Sequence, residues 1–133
     1  MSDGTAQAVV RRYYDEVMNR QNVAAIETIL APKFLHGTEA RGLRGQAAVV
    51  QTYFSAFPDI HVAIDQMIGD GETVAARMTW SGTHRGPWLG MAATGRAVAW
   101  QVMAFFRVAD GRIAQAWLTE DTESLRRQLG AGG

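Results

Sequence analysis

Two adjacent acids, Glu120 and Asp121, stand where the Trp-containing stretch "RIAQAWLTE" gives way to the helix-like tail "DTESLRRQLG". An acid at such a junction has two uses. It can accept hydrogen bonds from the orphan backbone N–H groups of a helix start. It can instead be the working carboxylate of an acid/base site, if the rest of the chain builds a pocket around it. Asp121 suits both, since it directly precedes "TESLRRQL", although Ser124 stands where a capping box would prefer Glu or Gln. Glu120, one residue earlier on a strand, points the other way and reads as a solvated or helix-start charge. His36 in "FLHG" and His84 in "GTHRG" are further candidates, because imidazole titrates near neutrality and can polarise a carbonyl. A lone His near an apolar segment is more often a hydrogen-bonded structural residue. His61 alternates outward on its strand.

A second set of residues could shape a binding site. Trp80, Trp88, Trp100 and Trp117 are four large flat side chains in a short chain, and some must simply fill the core. Trp100 shares a strand face with Val102 and Ala104, and small residues beside a Trp leave a slot in which a flat polycyclic ligand could stack. Tyr53 and Tyr14 lie on helix faces that would close such a pocket, where their hydroxyls either bind a carbonyl or only pack. No His-x-x-x-His, no His/carboxylate cluster, no G-x-G-x-x-G after a strand and no Ser elbow occurs, and there is no Cys. Metal, nucleotide and covalent-serine chemistry are therefore not expected, and no cofactor is called for.

These residues must be carried by helices first and strands afterwards. Val10, Tyr13, Tyr14 and Val17 follow the i, i+3, i+4, i+7 spacing of one helix face. Asn22 is placed to cap a short second helix containing Val23, Ile26 and Ile29 or Leu30, which Pro32 ends. A third helix follows Gly45, with Val49 or Val50, Tyr53, Phe54 and Phe57 inward and Pro58 as its stop. "KFLHGTEARG" between them predicts a short strand and loop. Beyond Pro58 the period falls from about 3.6 to 2. Ile60, Val62 and Ile64 alternate, "ETVAARMTWSGTH" forms a second strand, and Val98, Trp100, Val102, Ala104 and Phe106 mark the longest. Asp-Gly in "ADGR" predicts a tight hairpin into the final strand. The long strand is apolar on both faces; the second face is covered either by a partner chain or by the same chain. The expected class is α+β, with N-terminal helices packed on a curved antiparallel or mixed sheet.

At 133 residues, 47% of them hydrophobic, the chain is expected to form one domain, 1–133, with a real core. Lys plus Arg equals Asp plus Glu at 13 each, which argues against nucleic acid or an acidic membrane surface as partner. Neither a secretory signal nor a membrane-spanning run is recognisable, so a cytoplasmic location is expected.

The order of elements, with "SGTHRGPWLGMAATGRAV", "FRVADGRI" leading to Trp117, and "DTESLRRQLG", resembles the SnoaL-like polyketide cyclase family of the nuclear-transport-factor-2-like superfamily. The resemblance runs from Ala8 to Gly130. It implies a cone whose curved sheet wraps an apolar pocket, closed by helices, and a homodimer formed through the sheet. It implies a cofactor-independent acid/base reaction of secondary metabolism on a polyketide-like aromatic substrate, in which an Asp starts an aldol closure by taking a proton from carbon. Matched to the "QLG" ending, that Asp is Asp121, and the resemblance favours the catalytic reading without excluding the cap. His36 near the cone's opening and His84 at the pocket mouth are the implied assistants. Trp100, Val102, Ala104, Tyr53, Trp80 and Trp117 are the expected binding residues. Aldol cyclases of the family carry polar residues, including a His, on the pocket face of the long strand, where this chain has Val102 and Ala104. Cofactor-free hydroxylation, or binding without catalysis, is the alternative.

Overall fold

The computed structural model describes residues 2–130. Helix α1 (Ser2–Arg12) runs straight into a π-helical segment (Tyr13–Asn19), and a 3₁₀ turn (Val23–Ala25) leads into the single-turn α2 (Ile26–Ile29). Then come β1 (Leu30–His36), β2 (Glu39–Ala40), α3 (Gly42–Ala56), β3 (His61–Asp70), β4 (Thr73–Thr83), β5 (Ala97–Ala109), β6 (Arg112–Glu120) and α4 (Thr122–Gln128). The sheet order is β2-β1-β6-β5-β4-β3, antiparallel throughout except that β1 runs parallel to β6. This is an α+β fold on a mixed sheet, with the change of hydrophobic period near Pro58 marking the change of element.

The helical stripe behaves as its spacing predicts. Val10, Tyr13, Tyr14 and Val17 are buried, and the wider π turn brings Met18 in beside them. Three local features differ from expectation. Asn22 occupies the position before the second helix, yet its side chain makes no capping bond. Pro32 does not end that helix; it lies inside β1, where the register against β6 shifts between Leu30 and Leu35. A residue lacking an N–H is tolerated at such an irregularity. Helix α3 starts at Gly42 rather than after Gly45 and buries Gln46, Val50, Tyr53 and Ala56.

On β5, Val98, Trp100, Val102, Ala104, Phe106 and Val108 are buried, while their odd-numbered neighbours from Ala97 to Arg107 are exposed. The core therefore lies between this face and the helices. The opposite face carries Ile68, Met103, Phe105 and Trp117, the last two 56% and 42% exposed. The β5–β6 hairpin turns through Asp110 and Gly111, both at positive φ (54° and 74°), as the Asp-Gly pair requires. Just past it, Val108 pairs with Ile113 but Arg107 pairs with Gln115, so Ala114 is an extra residue on β6. That bulge inverts the inside–outside alternation along the rest of the strand. No helix among the described residues is long and apolar enough to cross a membrane.

Candidate functional site

A cavity of about 230 Å³ lies between the helices and the inner face of the sheet. Its walls are mostly apolar, including Leu30, Phe34, Val50, Trp80, Phe106 and Leu118, and among the described residues one carboxylate enters it, that of Glu120. Cross-strand partners share a face, and Glu120 pairs with Val102, Leu118 with Ala104, and Ala116 with Phe106. All three β6 residues therefore face inward with the core side of β5. Both oxygens of Glu120 are held. Tyr53 Oη donates to Oε2 at 2.5 Å, and Trp100 Nε1 donates to Oε1 at 2.9 Å. A carboxylate has about four acceptor directions, so two remain for a ligand.

Asp121 lies elsewhere. Its Oδ1 accepts the Ser124 N–H at 3.0 Å, it caps α4, and it is solvent-exposed and outside the cavity wall. The two acids do point apart, but the sides are the reverse of those expected from sequence. Counting every second residue inward from Ile113 puts Trp117 and Asp121 inside. The bulge at Ala114 puts Ala116, Leu118 and Glu120 there instead, and Trp117 emerges on the outer face.

A second polar group also lines the cavity. Arg41 donates to Gln46 Oε1 at 3.0 Å, and Gln46 Nε2 donates to Tyr13 Oη at 2.7 Å. Arg41 also pairs with the exposed Glu39 at 3.3 Å. Burial pushes the Tyr13 hydroxyl up to about 12, against weaker opposing effects of Gln46 and Arg41. Tyr14 is raised well above its ordinary value, first by burial and then by neighbouring Tyr13, Tyr53 and Glu120. Tyr53 is raised as well, first by burial and then by the charge and hydrogen bond of Glu120. All three tyrosines thus keep their protons at neutral pH. His36, the last residue of β1, also lines the cavity; burial and then the Arg41 guanidinium hold its pKa below the ordinary imidazole value, despite Glu39 and Glu120.

Of the residues expected from sequence, His36, Tyr53 and Trp80 meet at this cavity. Trp100, Val102 and Ala104 are buried on the expected face but lie outside the cavity wall. No slot opens beside Trp100, because Phe57 packs on it at 5.2 Å between ring centres while Glu120 takes its N–H. His84 does not line the mouth. It is 0% exposed beside Phe57, and its Nδ1 accepts from Thr94 N–H at 3.2 Å, tying down the segment that joins β4 to β5. Sequence reasoning missed Glu120, Tyr13, Gln46 and Arg41. Gln46 carried a usable signal, since it continues the Val50–Tyr53–Phe57 stripe as a polar residue at helical spacing. Among the described residues no group of three or more His, Cys, Asp or Glu side chains is placed to hold a metal ion.

The family profile of SnoaL-like polyketide cyclases matches residues 8–129. The fold is similar to that of TsrD from Streptomyces laurentii, at 30% identity and TM-score 0.90, covering 98% of each chain. IdmH from Streptomyces antibioticus, a candidate polyketide cyclase, is 26% identical with TM-score 0.84, covering 94% of this chain and 98% of that one. AclR from Streptomyces galilaeus, a candidate hydroxylase, shares the fold at 22% identity and TM-score 0.87, covering 99% and 100%. No curated protein matches the sequence significantly.

Proposed function

The chain belongs to the SnoaL-like polyketide cyclase family, and from that premise we propose that it is a cofactor-independent acid/base enzyme whose base is Glu120. The observation that carries this reading is a single carboxylate set in an apolar cavity, with both oxygens fixed by Tyr53 and Trp100. A base held in one rotamer needs no reorganisation when substrate arrives. Glu120 takes a proton from a carbon activated by a neighbouring carbonyl. The electron pair left behind spreads onto that carbonyl oxygen as an enolate. The enolate carbon then attacks a second carbonyl of the same molecule, closing a ring, and Glu120 returns its proton to the alkoxide that forms.

The walls favour a flat, mostly apolar compound. The cavity, about 230 Å³, is smaller than the roughly 300–1,000 Å³ of pockets that enclose drug-sized ligands. It suits a substrate of one or two rings, or the reacting end of a longer polyketide-like molecule. The inner face of β5 brings the apolar Phe106 to the cavity, where a polar strand residue would assist ring closure. That favours, as second reading, the same proton abstraction followed by reaction of the carbanion with dioxygen: the carbon-bound peroxide takes up a proton, and an external two-electron reductant cleaves its O–O bond to leave the hydroxyl and release water. The apolar outer face with Met103, Phe105 and Trp117 is proposed as the homodimer surface.

The test is solvent-deuterium incorporation, read by NMR, into a panel of β-dicarbonyl and anthraquinone-type compounds. Exchange by the wild type that is lost in folded Glu120→Gln supports the assignment, and repeating the reaction without dioxygen separates cyclisation from hydroxylation. Compounds that bind but never exchange would point to a binding protein instead.

A further inference from the structure

Removing a proton next to a carbonyl leaves negative charge on an oxygen, which a carboxylate base cannot stabilise. The Arg41–Gln46–Tyr13 chain supplies a donor for it. Arg41 has only N–H donors, so the Gln46 atom that meets it at 3.0 Å must be the amide oxygen. A flipped amide would turn its NH₂ toward a guanidinium, so this orientation is fixed by chemistry. The NH₂ end then faces Tyr13 Oη at 2.7 Å, and the tyrosine oxygen is the acceptor there. Its own proton remains to be donated, and no hydrogen bond to a described residue takes it. Tyr13 lines the cavity, and burial keeps its hydroxyl protonated up to a pKa of about 12. Tyr14 also lines the cavity, but no hydrogen bond to a described residue orients its hydroxyl.

Building on the acid/base reading of Glu120, we propose that Tyr13 donates a hydrogen bond to the substrate's carbonyl oxygen and to the enolate formed from it. Gln46 and Arg41 are positioning residues: they occupy the acceptor side of Tyr13 and so aim its proton into the cavity. A donor set in place before the charge develops is worth more than one that must reorient. The ligand class that follows is a small aryl ketone or a related aryl carbonyl compound, with the carbonyl at Tyr13 and the acidic C–H toward Glu120.

The probe is acetophenone carrying a ¹³C carbonyl, its bound stretching frequency read by difference infrared spectroscopy and its affinity by titration. Wild type should shift the band below its position in an apolar solvent. Tyr13→Phe should return it toward that position and weaken binding about fivefold, the worth of one neutral hydrogen bond. Gln46→Glu preserves size and keeps the tyrosine, but presents Tyr13 with an acceptor. The Tyr13 proton should turn to the new carboxylate, and the carbonyl band should return as in Tyr13→Phe. A merely structural role for Gln46 would leave the band where wild type has it. The same frequency in wild type and folded Tyr13→Phe overturns the proposal, as does failure of acetophenone to bind wild type. If Gln46→Glu does not fold, Tyr13→Phe decides alone. Deuterium exchange that persists without the Tyr13 shift would sink this assignment and leave Glu120 as base; the shift without any exchange would do the reverse.

Discussion

Glu120 ends β6 and Asp121 begins the turn into α4, so one peptide bond separates two carboxylates in different surroundings. Glu120 sits in the cavity wall with two fixed donors, whereas Asp121 faces solvent and holds a helix start. Residue type does not decide which acid can do chemistry here; the parity of the strand does. One extra residue, Ala114, sets that parity for everything between it and the helix. Bulges commonly re-aim side chains beside functional sites, and this one delivers Glu120 inward while turning Trp117 out.

The strongest way to break the contrast is to delete the exposed Thr119, beyond the bulge. If the bulge is kept, alternation turns Asp121 inward and Glu120 outward; if the bulge is lost, Glu120 stays inward but Trp117 is forced into space shaped for Ala116 and Leu118. An unpaired buried carboxylate or an overpacked core should cost about 3 kcal/mol, measured by urea denaturation; a stable, fully active deletion would refute the parity argument. Tyr53→Phe is a milder attack on the Glu120 side. It removes the hydroxyl that fixes one carboxylate oxygen, a charge-assisted bond, and should slow proton exchange about tenfold with little change in substrate affinity.

Asp121→Ala tests the other side. Loss of the cap should cost about 1 kcal/mol, seen as a lower denaturation midpoint, while exchange rates stay at the wild-type level. The smallest effect concerns His36. Its pKa is lower in the folded protein than in the unfolded chain, so the unfolded state binds more protons through this window. The contribution is fully present above about pH 6.5, the ordinary imidazole value, and is lost as pH falls through the lower folded value. His36→Gln should flatten that part of a stability-against-pH curve; an unchanged curve would show that His36 does not contribute to it.

Much of the fold could be read directly. The helical stripe through Tyr13 and Tyr14, the two-residue period of β5 and the Asp-Gly hairpin are local patterns, each set by geometry within a few residues. The site was less legible. In "RIAQAWL" the bulge has no signature, because Ala114 and Ala116 are both small and either could face the core. The parallel pairing of β1 with β6 joins distant parts of the chain, as does the Gln46–Tyr13 bond across 33 positions. Such contacts follow from topology, which periodicity does not encode. The family resemblance directs attention to the junction of β6 and α4, and the base proposed from the coordinates lies one residue before the one it implies.

The most direct measurement compares Glu120→Gln with Asp121→Asn for solvent-deuterium exchange into one bound β-dicarbonyl compound. Both changes remove a charge and keep the shape, and Asn is nearly as good a cap as Asp. The account predicts that exchange falls by a factor of about 100 or more in folded Glu120→Gln and stays near wild type in Asp121→Asn. Exchange that survives in Glu120→Gln but disappears in Asp121→Asn would contradict it and return the base to the helix cap.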